Sequence, residues 1–446
     1  MISEYFSNFI ISTNYSKIPE DVIEKAKTCF IDFLGISLRG SQRKSGSIIK
    51  EIINDGEDST VIGYKKAHSL DSALANGTFA HSIDLDDGHR FAQLHPGSCV
   101  IPAALAVCEA NKRNGKDFLT SMIVGYEVAI SLGMLANPIH RNKGFHSTGT
   151  FGTFGAAGAA SKSLNLRENE IINALGLAGT QSCGLLESDH SGSMAKHLHA
   201  GKAAQAGLLS ALLAEKGFTG AKSIIDGKEG FLNVMVEYGG FDSKQLELQL
   251  DLGDFHIKNV YIKKYPVCRH LHSSLDALVD IINQNNISSE DITNIVIKTY
   301  KIASQHDNYQ PNSIEAVRQS LPVVMALVAL GSDLNHPNMD YDEKNSEIKE
   351  MAEKIVIKEE GELEKYFPEK RPSEVILKTK DQTYKKTCFL PQGEPENPLK
   401  RSDILDKFIK LNPKVDMDVI RMVEDIENYK MQDIMEILNE EFIITI

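Results

Sequence analysis

Positive charge is what this sequence has least of. Its 48 lysines and arginines stand against 61 acidic residues, giving a net charge of −13, so the surface repels polyanions, and nucleic acid and anionic membrane are excluded as general partners. Closely spaced cysteines are missing too. Cys29, Cys99, Cys108, Cys183, Cys268 and Cys388 are scattered with no C-x-x-C among them, the pattern of reduced cytoplasmic thiols rather than of a disulfide frame, a zinc site or an iron–sulfur cluster. The start carries Glu4 before its first basic residue, Lys17, and so lacks the charged region that opens a signal peptide. No stretch approaches the roughly 18 consecutive apolar residues of a membrane helix. The expectation is a cytoplasmic, cluster-free protein with no membrane segment.

What is present is ordinary globular composition, 42% hydrophobic and 24% charged over 446 residues. That length exceeds the roughly 100 to 200 residues of a usual domain, so two domains are expected. Up to about residue 240 the apolar residues recur at helical spacing. In IPEDVIEKAKTCFIDFLG, Pro19, Glu20 and Asp21 mark a helix start, and Val22, Ala26, Phe30 and Phe33 follow on one face. Near residue 255 the texture changes. ITNIVIKTYK, EKIVIKEE and SEVILKTKDQTYKKTCF alternate like half-buried strands, while EAVRQSLPVVMALVALG between them reads as helix. The fold class is therefore mainly α: a large all-helical domain, residues 1–262 with 397–446 returning to it, and a smaller α+β lid, residues 263–396.

Chemistry concentrates in the helical half and the junction after it, since 11 of 14 histidines lie from His81 to His272. HSIDLDDGHRFAQLHPG, residues 81–97, gathers His81, Asp84, Asp86, Asp87, His89 and His95. Its spacing fits neither a zincin nor a calcium loop, so no metal is expected; capping aspartates in a polar loop account for Asp86 or His89 taken singly. His95 is different. It stands before a helix opened by Pro96, Gly97 and Ser98, whose unpaired N–H groups and dipole favour a carboxylate and hold a nearby imidazole neutral, ready to act as a base.

Two basic clusters follow in this acidic chain: Lys196, His197, His199 and Lys202 in GSMAKHLHAGKAA, and Lys263, Lys264, Arg269, His270 and His272 in KKYPVCRHLHSSLDA. Each is either a solvated face or a place where a di- or tricarboxylate is held by charge-assisted hydrogen bonds. Glycines 149, 152, 155 and 158 recur at period three in STGTFGTFGAAGAASKSL, with His146 at the mouth of the segment. Glycine costs about 1 kcal/mol against alanine inside a helix, so a close approach is implied; tight helix packing is the leading reading and a ligand the other.

Taken in order, DSALANGTFAHSIDLDDGH, LHPGSCVIPAALA, GFHSTGTFGTFGAAGAASKSLNL, GSMAKHLHAGKAAQAG, KKYPVCRHLH, RQSLPVVMALVALG and GEPENPL resemble the block pattern of the MmgE/PrpD family from about residue 70 to 400. The family includes 2-methylcitrate dehydratases, cis-aconitate decarboxylases and an iminodisuccinate epimerase. The resemblance implies a helical domain with an α+β lid, usually in a homodimer, working without iron–sulfur cluster or organic cofactor. It implies catalytic roles for Asp84, His95, His146, Lys196 and Lys263, with His272 closing the last basic block. Two departures stand out: Gly88 where the family often has threonine, and Cys268 where some decarboxylases have histidine.

What unites those reactions is proton transfer at a carbon next to a carboxylate, which builds a second negative charge that fixed cations must stabilise. Lys196, Lys263 and Arg269 are the candidates for that role, with His272 and Ser98 beside Arg269 as substrate-binding residues. His95 or His146 is the base, and the other histidine or a protonated Asp84 is the acid. Dehydration of a 2-methylcitrate type stands first, an isomerase or epimerase second and decarboxylation third. A carboxylate-binding homologue without catalysis and a metal-dependent hydrolase built on Asp84 to His95 are the readings from other classes.

Overall fold

The computed structural model describes residues 1–236, 252–334 and 345–445. The chain forms two compact units, one of Met1–Leu186, Ala195–Val260 and Asn412–Ile446, the other of Glu187–Met194 and Tyr261–Leu411.

The first unit is mainly helical but carries a two-stranded antiparallel sheet of Asp55–Thr60 and Lys66–Ala67, so it is not the all-helical domain expected. Its centre is α1 (Ser69–His81), α2 (Gly97–Ala110), α3 (Gly115–Ala136), α4 (Ser147–Ser163) and α5 (Ala195–Glu215). α4 packs against α2, α3 and α5, and the glycines explain how it comes so close. A Cβ at Gly152 would lie 2.5 Å from the Cys99 sulfur on α2, and one at Gly155 would lie 2.7 Å from Ala129 Cβ and the Gly125 carbonyl on α3. These positions serve helix packing, since any side chain there meets a neighbouring helix.

α3 is long and apolar enough to pass for a membrane span, with mean hydropathy 1.6 over its most apolar window, which the search for unbroken apolar runs misses because Thr120, Ser121 and Glu127 interrupt it. That window is 94% buried inside the protein. Glu127 on it is fully buried and accepts from the His256 amide at 2.7 Å, a partner that lipid would not supply. α3 is a core helix.

The second unit is α+β. β1 (Ile292–Thr299), β2 (Ile355–Glu359), β3 (Ser373–Thr379) and β4 (Thr383–Cys388) form one sheet in the order β2-β1-β3-β4. β1 runs parallel to β2, with Ile295 opposite Ile355, and antiparallel to β3, with Ile295 opposite Leu377. The alternation read from the sequence puts Ile295, Ile297, Val375 and Leu377 inside, where they pack with Leu275 and Leu278 of α6 (His272–Asn285) and Val324 of α7 (Leu321–Ala329). The expected single helix around EAVRQSLPVVMALVALG is two, Ile314–Val317 and α7. Ser320 breaks it by capping α7, its hydroxyl accepting from the Val323 amide at 3.2 Å, with Pro322 in the first turn.

The helix Arg401–Leu411, expected to return to the helical domain, groups with the α+β unit, where Lys407 Nζ donates to the Lys263 carbonyl at 2.9 Å. Its amphipathic period shows that one face is buried without saying against what. The chain re-enters the helical unit at Asn412.

Candidate functional site

The opening cluster folds into a turn between α1 and α2 that is almost wholly buried. Each of its acids has a specific partner. His81, the last residue of α1, has Nδ1 2.7 Å from Asp86 Oδ2, a buried imidazole–carboxylate pair with side-chain exposures of 0% and 1%. Asp84 adopts φ +53°, a left-handed conformation that few non-glycine residues take but that aspartate tolerates better than most. Its Oδ1 is 3.1 Å from Lys196 Nζ, near the start of α5.

Asp87 answers the expectation about the α2 N-terminus in an unforeseen way. Its Oδ1 accepts from the Gly97 amide at 3.0 Å and its Oδ2 from the Tyr126 hydroxyl of α3 at 2.6 Å. The acceptor at this helix start is thus the chain's own Asp87 carboxyl. Burial pushes the Asp87 carboxyl up to about 7, opposed by the Tyr126 hydrogen bond and reinforced by Asp86. Ser98, expected to bind substrate, donates its hydroxyl to the His95 carbonyl at 3.0 Å.

His95 is held on three sides. Its amide donates to Thr148 Oγ1 at 3.1 Å, its carbonyl receives Ser98, and its Nδ1 lies 2.6 Å from the Asp87 carbonyl. A carbonyl only accepts, so Nδ1 carries a proton and, when the ring is neutral, Nε2 is the basic nitrogen. That is the tautomer of a general base. The ring is 15% exposed.

His146 caps α4 and is 3% exposed, with Nδ1 2.9 Å from His199 Nδ1. Its ring centre is 5.6 Å from His81, which is 5.3 Å from His95. Burial pushes the His146 imidazole well below its usual range, and the charges of His81, His199, Lys196 and Arg141 add to the shift. His146 is therefore neutral at pH 7, a hydrogen-bonding partner rather than a proton donor of imidazolium type.

The structure thus brings Asp84, His95, His146 and Lys196 into one neighbourhood of the helical unit and adds His81, Asp86, Asp87, Tyr126 and His199, which sequence reasoning did not assign. His81 and Asp86 were visible in the opening stretch, but a pairing across five residues and a turn has no periodic signature. Tyr126 gave no signal at all. His89 serves its own turn, accepting from the Ala92 amide at 3.1 Å, and Lys202 is exposed with its ammonium on Gln205.

Asp84, Asp86 and His95 offer ligand atoms within 4.8 Å of one another, the one such group among the described residues. Cationic or proton-bearing groups already meet its acids: Lys196 at Asp84, His81 at Asp86. A metal would have to displace Lys196, so the set fits an ion-paired acid–base cluster better than a cation site.

Within the α+β unit, Lys263 is 1% exposed. Arg269 is buried and spends all five N–H groups: on Glu394 Oε1 from Nε at 3.1 Å and Nη2 at 3.0 Å, on His272 Nδ1 and the Gln392 carbonyl from Nη1, and on the Pro391 carbonyl from Nη2. Arginine only donates, so His272 Nδ1 accepts, and its Nε2–H donates to the Val267 carbonyl at 3.3 Å.

The comparisons with known proteins agree with the block pattern. The MmgE/PrpD N-terminal domain matches residues 4–244 and the MmgE/PrpD C-terminal domain matches residues 265–426. The chain belongs to the MmgE/PrpD family. Among similar proteins is a cis-aconitate decarboxylase of Aspergillus terreus (strain NIH 2624 / FGSC A1156), 27% identical over 439 residues, covering 92% of this chain and 89% of that protein. The Homo sapiens cis-aconitate decarboxylase is 26% identical over 430 residues, covering 91% and 87%. The cis-aconitate decarboxylase-like protein oryM of Aspergillus oryzae is 30% identical over 287 residues, 61% of this chain and 59% of that protein, so this match spans less than two thirds of its length. This MmgE/PrpD chain is thus related along most of its length to carboxylate lyases.

Proposed function

We propose that this protein is a lyase that moves a proton at a carbon next to a carboxylate of a di- or tricarboxylate. The observation that carries the reading is His95. Its Nδ1 is committed to the Asp87 carbonyl, and one of its ring nitrogens lies within 4.8 Å of a carboxylate oxygen of Asp84, which is ion-paired to Lys196. A base with a fixed tautomer, an ammonium and a carboxylate are the parts such a proton transfer needs.

In the forward direction His95 Nε2 takes the proton, Lys196 stabilises the charge that develops on the carboxylate, and the Lys196–Asp84 pair delivers a proton to the departing hydroxyl. Dehydration of a 2-methylcitrate-type hydroxy acid uses all three roles. Lys263, a lysine of the family pattern, is the second cation of this reading. Epimerisation needs the base without a leaving group and comes after dehydration. Decarboxylation of cis-aconitate is the third reading, favoured by the names of the relatives, while Cys268, standing where some decarboxylases have histidine, favours dehydration.

The test is proton NMR of the purified protein in D₂O with 2-methylcitrate, citrate, cis-aconitate and iminodisuccinate. Dehydration gives an unsaturated product from 2-methylcitrate, decarboxylation consumes cis-aconitate with release of CO₂, and epimerisation shows as deuterium exchange without net loss. Unchanged turnover in His95→Ala or Lys263→Ala removes that residue from the mechanism.

A further inference from the structure

The α+β unit contains a thiol–imidazole pair that the proposed reaction does not use. Cys268, partly exposed, has Sγ 3.7 Å from His306 Nε2. His306 Nδ1 lies 2.8 Å from the Gln319 carbonyl, which only accepts, so Nδ1 carries the ring proton and Nε2 turns its lone pair toward the thiol. An imidazole so oriented takes a thiol proton and raises the thiolate fraction.

A buried cation stands nearby. Arg371 is 5% exposed, its Nη1 is 3.6 Å from Glu394 Oε1, and neither its Nε nor its Nη1 makes a hydrogen bond. A guanidinium with buried N–H groups left over suits an anionic group. Burial works against its charge, but the neighbouring Tyr261 and Glu394 favour it, and its pKa is raised. Arg269, which follows Cys268 in the chain, shares Glu394 Oε1 with Arg371, so Arg371 belongs to the same charged network as the residue beside the thiol.

The other thiols differ. Burial pushes Cys29, Cys99 and Cys108 well up, Cys108 to about 12, and Cys388 to about 11. Cys183 is exposed in the helical unit and serves as an internal reference.

We propose that Cys268 is a nucleophilic modification site, deprotonated by His306 and selective for electrophiles that carry a carboxylate, namely α,β-unsaturated carboxylic acids. In the addition an Sγ–C bond forms at the β carbon and the C=C π pair moves toward the carboxylate. The α carbon then takes the proton that His306 Nε2 removed from the thiol. Atoms and electrons balance without an oxidant. The thiol–imidazole pair is independent of the proposed function; only the choice of an unsaturated acid rests on that reading, in which such acids are substrates or products.

The experiment alkylates the full-length protein with limiting iodoacetamide or iodoacetate across neutral pH and quantifies each cysteine peptide by mass spectrometry. Cys268 is expected to react roughly ten-fold or more faster than Cys183 near pH 7, with a rate that levels off below the ordinary thiol pKa of about 8.5. His306→Gln is expected to remove that excess and leave Cys183 unchanged. Relative to Cys183, Cys268 is expected to prefer the anionic iodoacetate, and incubation with cis-aconitate to add the mass of the intact acid at Cys268. Labelling no faster than Cys183, or a wild-type pH profile of an ordinary thiol, overturns the pair whether or not the variant folds. A preference for iodoacetamide, or no adduct with cis-aconitate, overturns the carboxylate selectivity. Fast Cys268 labelling beside a silent substrate panel would count against the proposed function alone.

Discussion

The two histidine-containing clusters look alike as strings and differ as chemistry. In the α+β unit every hydrogen-bonding group of Arg269 and both nitrogens of His272 are spent on their own unit. In the helical unit the inner nitrogen of His95 is committed to a backbone carbonyl, and its ring keeps partial exposure. Residue type does not separate the two; what separates them is exposure, 15% for the His95 side chain against 4% for that of Arg269 and 0% for His272. The sealed Arg269–His272 pair stabilises a loop, whereas a ring that reaches solvent can meet a substrate.

The largest expected effect tests the working side of that contrast. His95→Ala lowers turnover by about 10²- to 10⁴-fold while the thermal unfolding midpoint stays close to wild type, as steady-state rates beside calorimetry would show. The structural side is tested by Arg269→Ala, which leaves Glu394 buried without its main partner and costs about 3–5 kcal/mol in urea unfolding. If Arg269→Ala instead kept its stability and lost turnover, the contrast would collapse.

A smaller effect concerns Asp87. Unfolded, its carboxyl releases a proton near pH 4, whereas folded it holds the proton to about 7. The native state then binds the extra proton, so this contribution to stability is full below about pH 4, declines as pH rises and is gone above about pH 7. Asp87→Asn, whose Oδ1 can accept from the Gly97 amide while its Nδ2 donates to the Tyr126 hydroxyl, should show a shallower decline over that window in denaturant titrations.

The smallest effect is at His140, packed among Phe145, Phe151 and Phe231 with ring centroids 5.1, 4.6 and 5.8 Å away. Neither of its nitrogens makes a hydrogen bond. Burial lowers its pKa to about 3, helped by Arg141. Its contribution is present above about pH 6.5 and is lost as pH falls toward 3. His140→Phe should flatten that acid limb in melts taken from about pH 7 to about pH 4, and an unchanged limb would mean that water reaches the ring.

Most of the fold was legible because periodicity is local: the helical run, the four strands and the packing role of the α4 glycines all follow from spacings of two, three or four residues. The destination of the Arg401–Leu411 helix was not legible, since an apolar face does not name its partner. The site divides the same way. Asp84, His95, His146 and Lys196 stood out by residue type and motif, while the occupant of the α2 N-terminus depends on Asp87 and on Tyr126, which lies on another helix. Such an approach is decided by tertiary packing, and no short-range spacing encodes it.

The apolar helix α3 carries a consequence for biosynthesis. As the nascent chain emerges, this segment resembles one that the insertion machinery of a membrane would accept, and only packing hides it. Its neighbours α2 and α4 lie on either side of it in the chain, with only the short helix Ile139–Asn142 between α3 and α4, so one partner is already made when α3 appears and the next follows soon after. Chain order keeps the interval of exposure short, and a permuted chain that postponed α4 would leave α3 open to misdelivery.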